Sequence, residues 1–274
     1  MGYSVFTGTM VDMPWPQVEA AARRGASVLL PVGIIEEHGP HLGLGVDTYA
    51  AYLVAVKAKE KLAGRGLETL VTPPQYWGIS PATGIFGGTF SVRPETMKAL
   101  VVDIVTSLKG WGFDRVFTVN WHADLLHVRT LYEAVVEARR TSGADARFIA
   151  SDFDLRRLRL TGEEDGVLVQ QNAPGISMGS GPYLDVHAGS METAVMARFF
   201  PEGLDEGYIR GLEATKLTGE DLRDLGTSEE LTRALIPDGY FGNPAGFDAD
   251  AAESYVDSVA ASYANTIAGC LAGK

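Results

Sequence analysis

Ser27-Val28-Leu29-Leu30-Pro31-Val32-Gly33 and, two residues on, Glu36-Glu37-His38-Gly39-Pro40-His41-Leu42-Gly43-Leu44-Gly45-Val46-Asp47 form the stretch on which the fold and chemistry of this chain turn. The first part is an almost unbroken apolar run, which reads as a buried strand. Good metal-ligand types then appear at Glu36, His38 and Asp47. Side chains two apart on an extended chain point to the same side, so Glu36 and His38 face one spot just past the strand. The Gly/Pro-rich turn can swing Asp47 back onto that spot. A glutamate, an imidazole and a second carboxylate at one strand end make the first half of a metal site.

Outward from this stretch, strand-like runs alternate with helical patterns. Helices are predicted over 15–24, 48–62, 94–110, 125–141, 191–200 and 251–271, and strands over 27–33, 68–72, 115–120 and 147–151. Pro94 suits the first turn of its helix, and Gly110 suits the end. The segment 216–238 is charged and loop-rich, with one short helix at most. Neither a repeat nor a linker divides the chain, so residues 1–274 are expected to form one domain. Strand–helix alternation implies an α/β fold with a mostly parallel sheet covered by helices. Ligand sites in such sheets lie beyond the carboxyl ends of the strands, where the segments at Glu36 and at Trp121 both fall.

With 46% hydrophobic residues the chain can bury a sizeable core. Its net charge of −12 argues against nucleic-acid partners and against anionic membrane surfaces. Cys270 is the single cysteine, so no disulfide framework or zinc ribbon can form within one chain. The opening residues carry no signal-peptide pattern, and Phe6 stands where a lipidation motif needs Ser or Thr. A cytoplasmic protein acting on a small molecule is expected.

The strand over 115–120 is followed by Trp121-His122-Ala123-Asp124. His122 and Asp124 repeat the histidine-and-carboxylate logic of the first segment. Pooled, Glu36, His38, Asp47, His122 and Asp124 are too many ligands for one tetrahedral ion and suit two divalent cations sharing a carboxylate. A third segment, Asp185-Val186-His187-Ala188-Gly189-Ser190-Met191-Glu192-Thr193, offers His187 to carry a proton and Glu192 to orient a ligand. Of the five histidines, His41 and His127 are read as packing or supporting residues. Glu37 is expected to be solvated.

These three segments resemble the creatininase (creatinine amidohydrolase) family, whose pattern is E-x-H-G-P-H-L-x-L-x-x-D, then N-G-H or a variant, then H-A-G-x-x-E-T. Gly239-Tyr240-Phe241-Gly242-Asn243-Pro244 is similar to the family's late glycine-rich loop. The resemblance implies a three-layer α/β/α sandwich, usually hexameric, with two ions, Zn²⁺ and Mn²⁺ in creatininase itself and Fe²⁺ also admissible. Carried over, one ion takes Glu36, Asp47 and His122, and the other takes His38, Asp47 and Asp124. Ser80 and Trp121 match substrate-contacting positions, Tyr183 stands near a substrate-covering one, and His187 matches the proposed proton shuttle. Val186 replaces the family glutamate before that histidine, and 153–158 lacks the expected tryptophan. The resemblance therefore implies a retained metal centre and a changed substrate pocket.

The expected reaction is metal-assisted hydrolysis of a C–N bond in a small cyclic amide or formamide other than creatinine. The rival within the class is ring opening of a cyclic ketone such as an oxidised inositol. Outside it stand a non-catalytic metal- or small-molecule-binding scaffold and a serine hydrolase using Ser177 of Gly175-Ile176-Ser177-Met178-Gly179. Gly43-Leu44-Gly45 lacks the full dinucleotide fingerprint.

Overall fold

The computed structural model describes residues 4–174 and 182–273. Its elements in chain order are α1 (Trp15–Arg23), β1 (Ser27–Val32), α2 (Val46–Ala63), β2 (Thr69–Val71), α3 (Pro94–Gly110), β3 (Arg115–Asn120), α4 (Leu125–Ser142), β4 (Asp145–Ala150), α5 (Asp152–Leu158), β5 (Val167–Val169), α6 (Ser190–Phe199), α7 (Glu206–Arg210), α8 (Gly219–Asp224), α9 (Glu229–Leu235) and α10 (Ala249–Leu271). The strands form one parallel sheet in the order β2-β1-β3-β4-β5. All six residues of β1 are buried, as an inner strand covered on both faces requires.

Alternation along the strands sorts the core into two layers. Val28, Leu30 and Val32 of β1 join Phe148 of β4 in packing against α1, α3 and α4. Leu29, Phe117 and Val119 face the other way, onto α2, α6 and α10. The result is the three-layer α/β/α arrangement. Pro31 is tolerated in an inner strand because β2 has ended at Val71 on that side, where its carbonyl accepts from Gln75 instead.

The strand order reverses direction between β1 and β3: the chain leaves β1 for β2 on one side and returns to pair β3 on the other. The strands stay paired to Val32 and Asn120, but the helices that follow them pack on opposite faces, which makes this point the expected ligand crevice. The segments bearing Glu36 and His122 both emerge into it.

Several boundaries differ from expectation. Helix α2 starts at Val46, which places Asp47 in its first turn rather than in the preceding loop. The segment 216–238 carries two short helices, α8 and α9, capped by Thr218 and Ser228. Helix α5 and strand β5 were not expected at all. The Gly175–Gly179 motif lies outside the described residues. Among those described, no helix is long and apolar enough to cross a membrane.

Candidate active site

Close backbone packing brings the first segment together. A Cβ on Gly33 would lie 2.8 Å from the carbonyl carbon and oxygen of Asp47, so only glycine lets the start of α2 sit against the end of β1. Thr48 Oγ1 donates to the Ile34 carbonyl, and Glu36 N donates to the Leu44 carbonyl, closing the turn. Glu36, His38 and Asp47 thereby become buried neighbours. His122 arrives from the end of β3. His187 and Glu192 arrive from the segment entering α6.

The three imidazoles share one arrangement. His38 Nδ1 faces the Glu36 carbonyl at 3.1 Å, His122 Nε2 faces the Ile79 carbonyl at 3.1 Å, and His187 Nε2 faces the Glu37 carbonyl at 3.0 Å. A carbonyl can only accept, so each of these nitrogens carries the hydrogen. In the neutral rings the opposite nitrogens are then bare, and all point at carboxylates. His122 Nδ1 lies 3.0 Å from Asp47 Oδ2 and 3.5 Å from Glu36 Oε1. His38 Nε2 lies 3.7 Å from Asp47 Oδ1 and 3.8 Å from Glu192 Oε2. His187 Nδ1 lies 3.5 Å from Glu36 Oε1.

Acceptor atoms thus converge on acceptor atoms in a buried space. His38 Nε2 and Asp47 Oδ2 have no hydrogen-bond partner there. Three overlapping groups have ligand atoms within 4.8 Å of one another: Glu36, Asp47 and His122; His38, Asp47 and Glu192; and Glu36, His38 and His187. Asp47 is common to the first two. Burial lowers the pKa of His38 and of His122, but nearby carboxylates outweigh it, Asp47 chiefly for His38 and Glu36 with Asp47 for His122, and hold both up to about 10. Burial raises Asp47, yet His122 and His38 pull it well below the usual carboxylate range. Each shift records a site that favours positive charge between its acids, so the donor set fits divalent cations.

Supporting contacts hold this set. Thr83 Oγ1 donates to Glu36 Oε2 at 2.8 Å, which leaves Ser80 as the donor in its 2.6 Å contact with Thr83. His127 Nδ1 accepts from Ile79 N at 3.2 Å, and its Nε2 reaches Asn120 Oδ1 at 3.2 Å. Asn120 in turn donates to the His122 carbonyl. Burial lowers His127 well below the ordinary histidine range, which keeps it neutral for that role. His41, which burial lowers to about 4, meets Thr193 Oγ1 at 3.1 Å and ties the first segment to α6.

Asp124, Ser80 and Glu37 are placed differently from expectation. Asp124 joins none of the ligand groups. It is the N-cap of α4, and its Oδ1 accepts from Leu126 N and His127 N, so its short arm is turned back on the helix. Glu192 takes the place beside His38 and Asp47 that was expected of Asp124. Ser80 is buried, with its hydroxyl spent on Thr83. Glu37 is buried at 6% exposure rather than solvated, and its carboxylate lies against His187. Trp121 is half-buried beside Tyr255 at 6.2 Å, and Tyr183 is 42% exposed. Glu37, Thr83 and Asn120 were missed as contributors. Only Asn120, at the end of a legible strand before His122, had a local signal.

A parallel α/β sheet whose strand ends gather buried carboxylates and imidazole nitrogens is an α/β fold with a candidate divalent-metal centre. The family model described as "Creatininase: Creatinine amidohydrolase" matches residues 11–267, and the chain belongs to the creatininase family. It is 30% identical over 200 residues to the mycofactocin precursor peptide peptidase of Mycobacterium ulcerans (strain Agy99), a match covering 72% of this chain and 63% of that protein, just under two thirds of its length. It is 28% identical over 215 residues to the creatinine amidohydrolase of Pseudomonas putida, covering 75% of each. A creatininase crystal structure shares the fold with a TM-score of 0.67 at 21% identity, over 95% of this chain and 96% of that one. Solved creatininases of this fold include a manganese form and a zinc–zinc form of a mutant.

Proposed function

We propose that this chain hydrolyses a C–N amide bond in a small substrate, using two divalent cations, zinc or manganese. One would be held by Glu36, Asp47 and His122, and the other by His38, Asp47 and Glu192. The observation that carries the reading is the convergence of the His38 and His122 ring nitrogens on buried carboxylates, an arrangement that needs positive charge between them, supplied by protons or by cations. Both kinds of relative are named for amide-cleaving activities, which supports C–N over C–C cleavage.

Bound cations would polarise the substrate carbonyl and acidify water. The chain's own residues do the rest. Glu36, Asp47 and Glu192 supply the negative charge that retains the cations. His187 presents Nδ1 to the same space and carries a proton toward the leaving nitrogen. Trp121 and Tyr183 would contact the substrate, by family resemblance. Ser80 acts through Thr83 on Glu36. A homo-oligomer, a hexamer by family resemblance, completes the proposal, and light scattering on the purified chain measures it.

The test begins with chelation, followed by restoration with Zn²⁺ or Mn²⁺ and assay against creatinine, formamides, small lactams, short peptides and keto-inositols. Activity toward an amide that disappears with the metal and returns with it is the expected result. Turnover indifferent to chelation overturns the metal mechanism, and turnover of keto-inositols alone overturns the C–N assignment.

A further inference from the structure

The proton carrier His187 has a partner that the mechanism above does not use. Its Nε2 faces two acceptors from one residue: the Glu37 carbonyl at 3.0 Å and Glu37 Oε1 at 3.4 Å. Glu37 Oε1 is buried and has no hydrogen-bond partner in the structure, while Oε2 accepts from Gly39 N at 2.9 Å. Among the described residues, Glu36 and Glu37 are the carboxylates within 4.0 Å of the His187 ring, Glu36 at Nδ1 and Glu37 at Nε2, and the residue before His187 is Val186.

The late glycine-rich loop is built around this pair. Phe241 N donates to the His187 carbonyl at 2.8 Å, and His187 N donates back to the Phe241 carbonyl at 3.2 Å, an antiparallel bridge that fixes the histidine's backbone. Gly239 has φ +73, and a Cβ there would lie 2.2 Å from Glu37 Oε2. The glycine therefore leaves room for the carboxylate itself. One loop seats the histidine with its strand-like part and houses the glutamate with its turn.

We propose that Glu37 is a positioning residue that holds His187 in the tautomer with hydrogen on Nε2, so that the bare Nδ1 faces the cation site. A base oriented by a third group is the general form of activated proton transfer, and a carboxylate behind a histidine fixes both ring orientation and tautomer. Glu37 comes from the strand-end segment, 150 residues before His187. It supplies the carboxylate that the sequence lacks immediately before the histidine. This inference rests on the reading of His187 as the proton carrier.

The experiment uses the full chain, ¹⁵N-labelled at histidine, metal-free and loaded with Zn²⁺, in long-range ¹H–¹⁵N correlation spectra. The five histidines make assignment by His187→Gln practical. The wild type is expected to show His187 as the pure Nε2–H tautomer. In Glu37→Gln the backbone carbonyl contact remains while the carboxylate is lost, so the two ring nitrogens should shift part of the way toward a tautomer mixture, with zinc stoichiometry retained. For whichever substrate the panel identifies, kcat should fall roughly 10- to 100-fold with KM little changed. Gly239→Ala, which displaces the carboxylate while leaving Glu37 in the sequence, should give the same spectral change and stands in should Glu37→Gln not fold. An unmixed Nε2–H tautomer in a folded variant overturns the inference. Absence of zinc binding by the wild type, or full turnover by His187→Gln, instead overturns the reading of the site, and the metal-free spectra still decide the role of Glu37.

Discussion

Thr83→Val tests the support beneath the cation site. Valine keeps the shape of threonine but removes the hydroxyl that donates to Glu36 Oε2 at 2.8 Å. Thr83 and Ser80 are 4% and 2% exposed, so water cannot replace the lost donor without rearrangement. A hydrogen bond to a charged group contributes about 1.5–3 kcal/mol. At about 1.4 kcal/mol per tenfold this corresponds to a weakening of roughly 10- to 150-fold, in line with the roughly 10- to 100-fold loss expected when a partner behind a metal ligand is removed. The effect should fall on the ion held by Glu36, Asp47 and His122, and leave the other within a few-fold. Competition of the purified variant against a chromophoric zinc chelator reads both affinities. Ser80→Ala added to Thr83→Val should change little more, because Ser80 donates only to the group already removed. A folded Thr83→Val protein with both zinc affinities unchanged would refute the reasoning, as would weakening confined to the ion at His38 and Glu192.

Glu192→Gln should lower zinc stoichiometry from two ions to one, whereas Asp124→Asn, which preserves an equally good N-cap, should keep two and leave the melting temperature almost unchanged; elemental analysis and thermal scans read both. Zinc uptake at pH 7 should release about two protons per chain, because ions must displace them from His38 and His122, both held up to about 10 in the metal-free chain. Calorimetry in buffers of differing ionisation enthalpy measures that number, and a value near zero contradicts it. Gly33→Ala should destabilise the fold by about 1–3 kcal/mol by driving a methyl group into the Asp47 backbone, and zinc binding should suffer with it.

Much of the fold was legible because its strong elements are locally self-consistent. β1 is a continuous apolar run, and α3 carries Pro94 in its first turn and ends at Gly110. The missed elements are those whose signals are short or contextual. β5 has three residues and is defined by pairing with β4. The brief helices α8 and α9 are held by caps at Thr218 and Ser228 within a charged segment. The site divides similarly. Glu36, His38 and Asp47 were readable from strand-end geometry and a short turn. The exchange of Asp124 for Glu192 was not, because a carboxylate at the start of a helix can serve either the helix or a ligand. Glu37 was read as solvated, yet it is buried. What local sequence cannot reveal is that His187 lies between Glu36 and Glu37, its Nδ1 toward Glu36 and its Nε2 toward Glu37.

The donors come from four separate stretches, entering at two strand ends and two helix starts. A cation gripping them would act as a removable cross-link, closing long loops that the unfolded chain would otherwise leave open. Its release would loosen the attachment of α6 to the sheet as well as halt chemistry. Resistance to denaturant should therefore track free zinc concentration, and the purified chain could report its own metal supply through its melting curve.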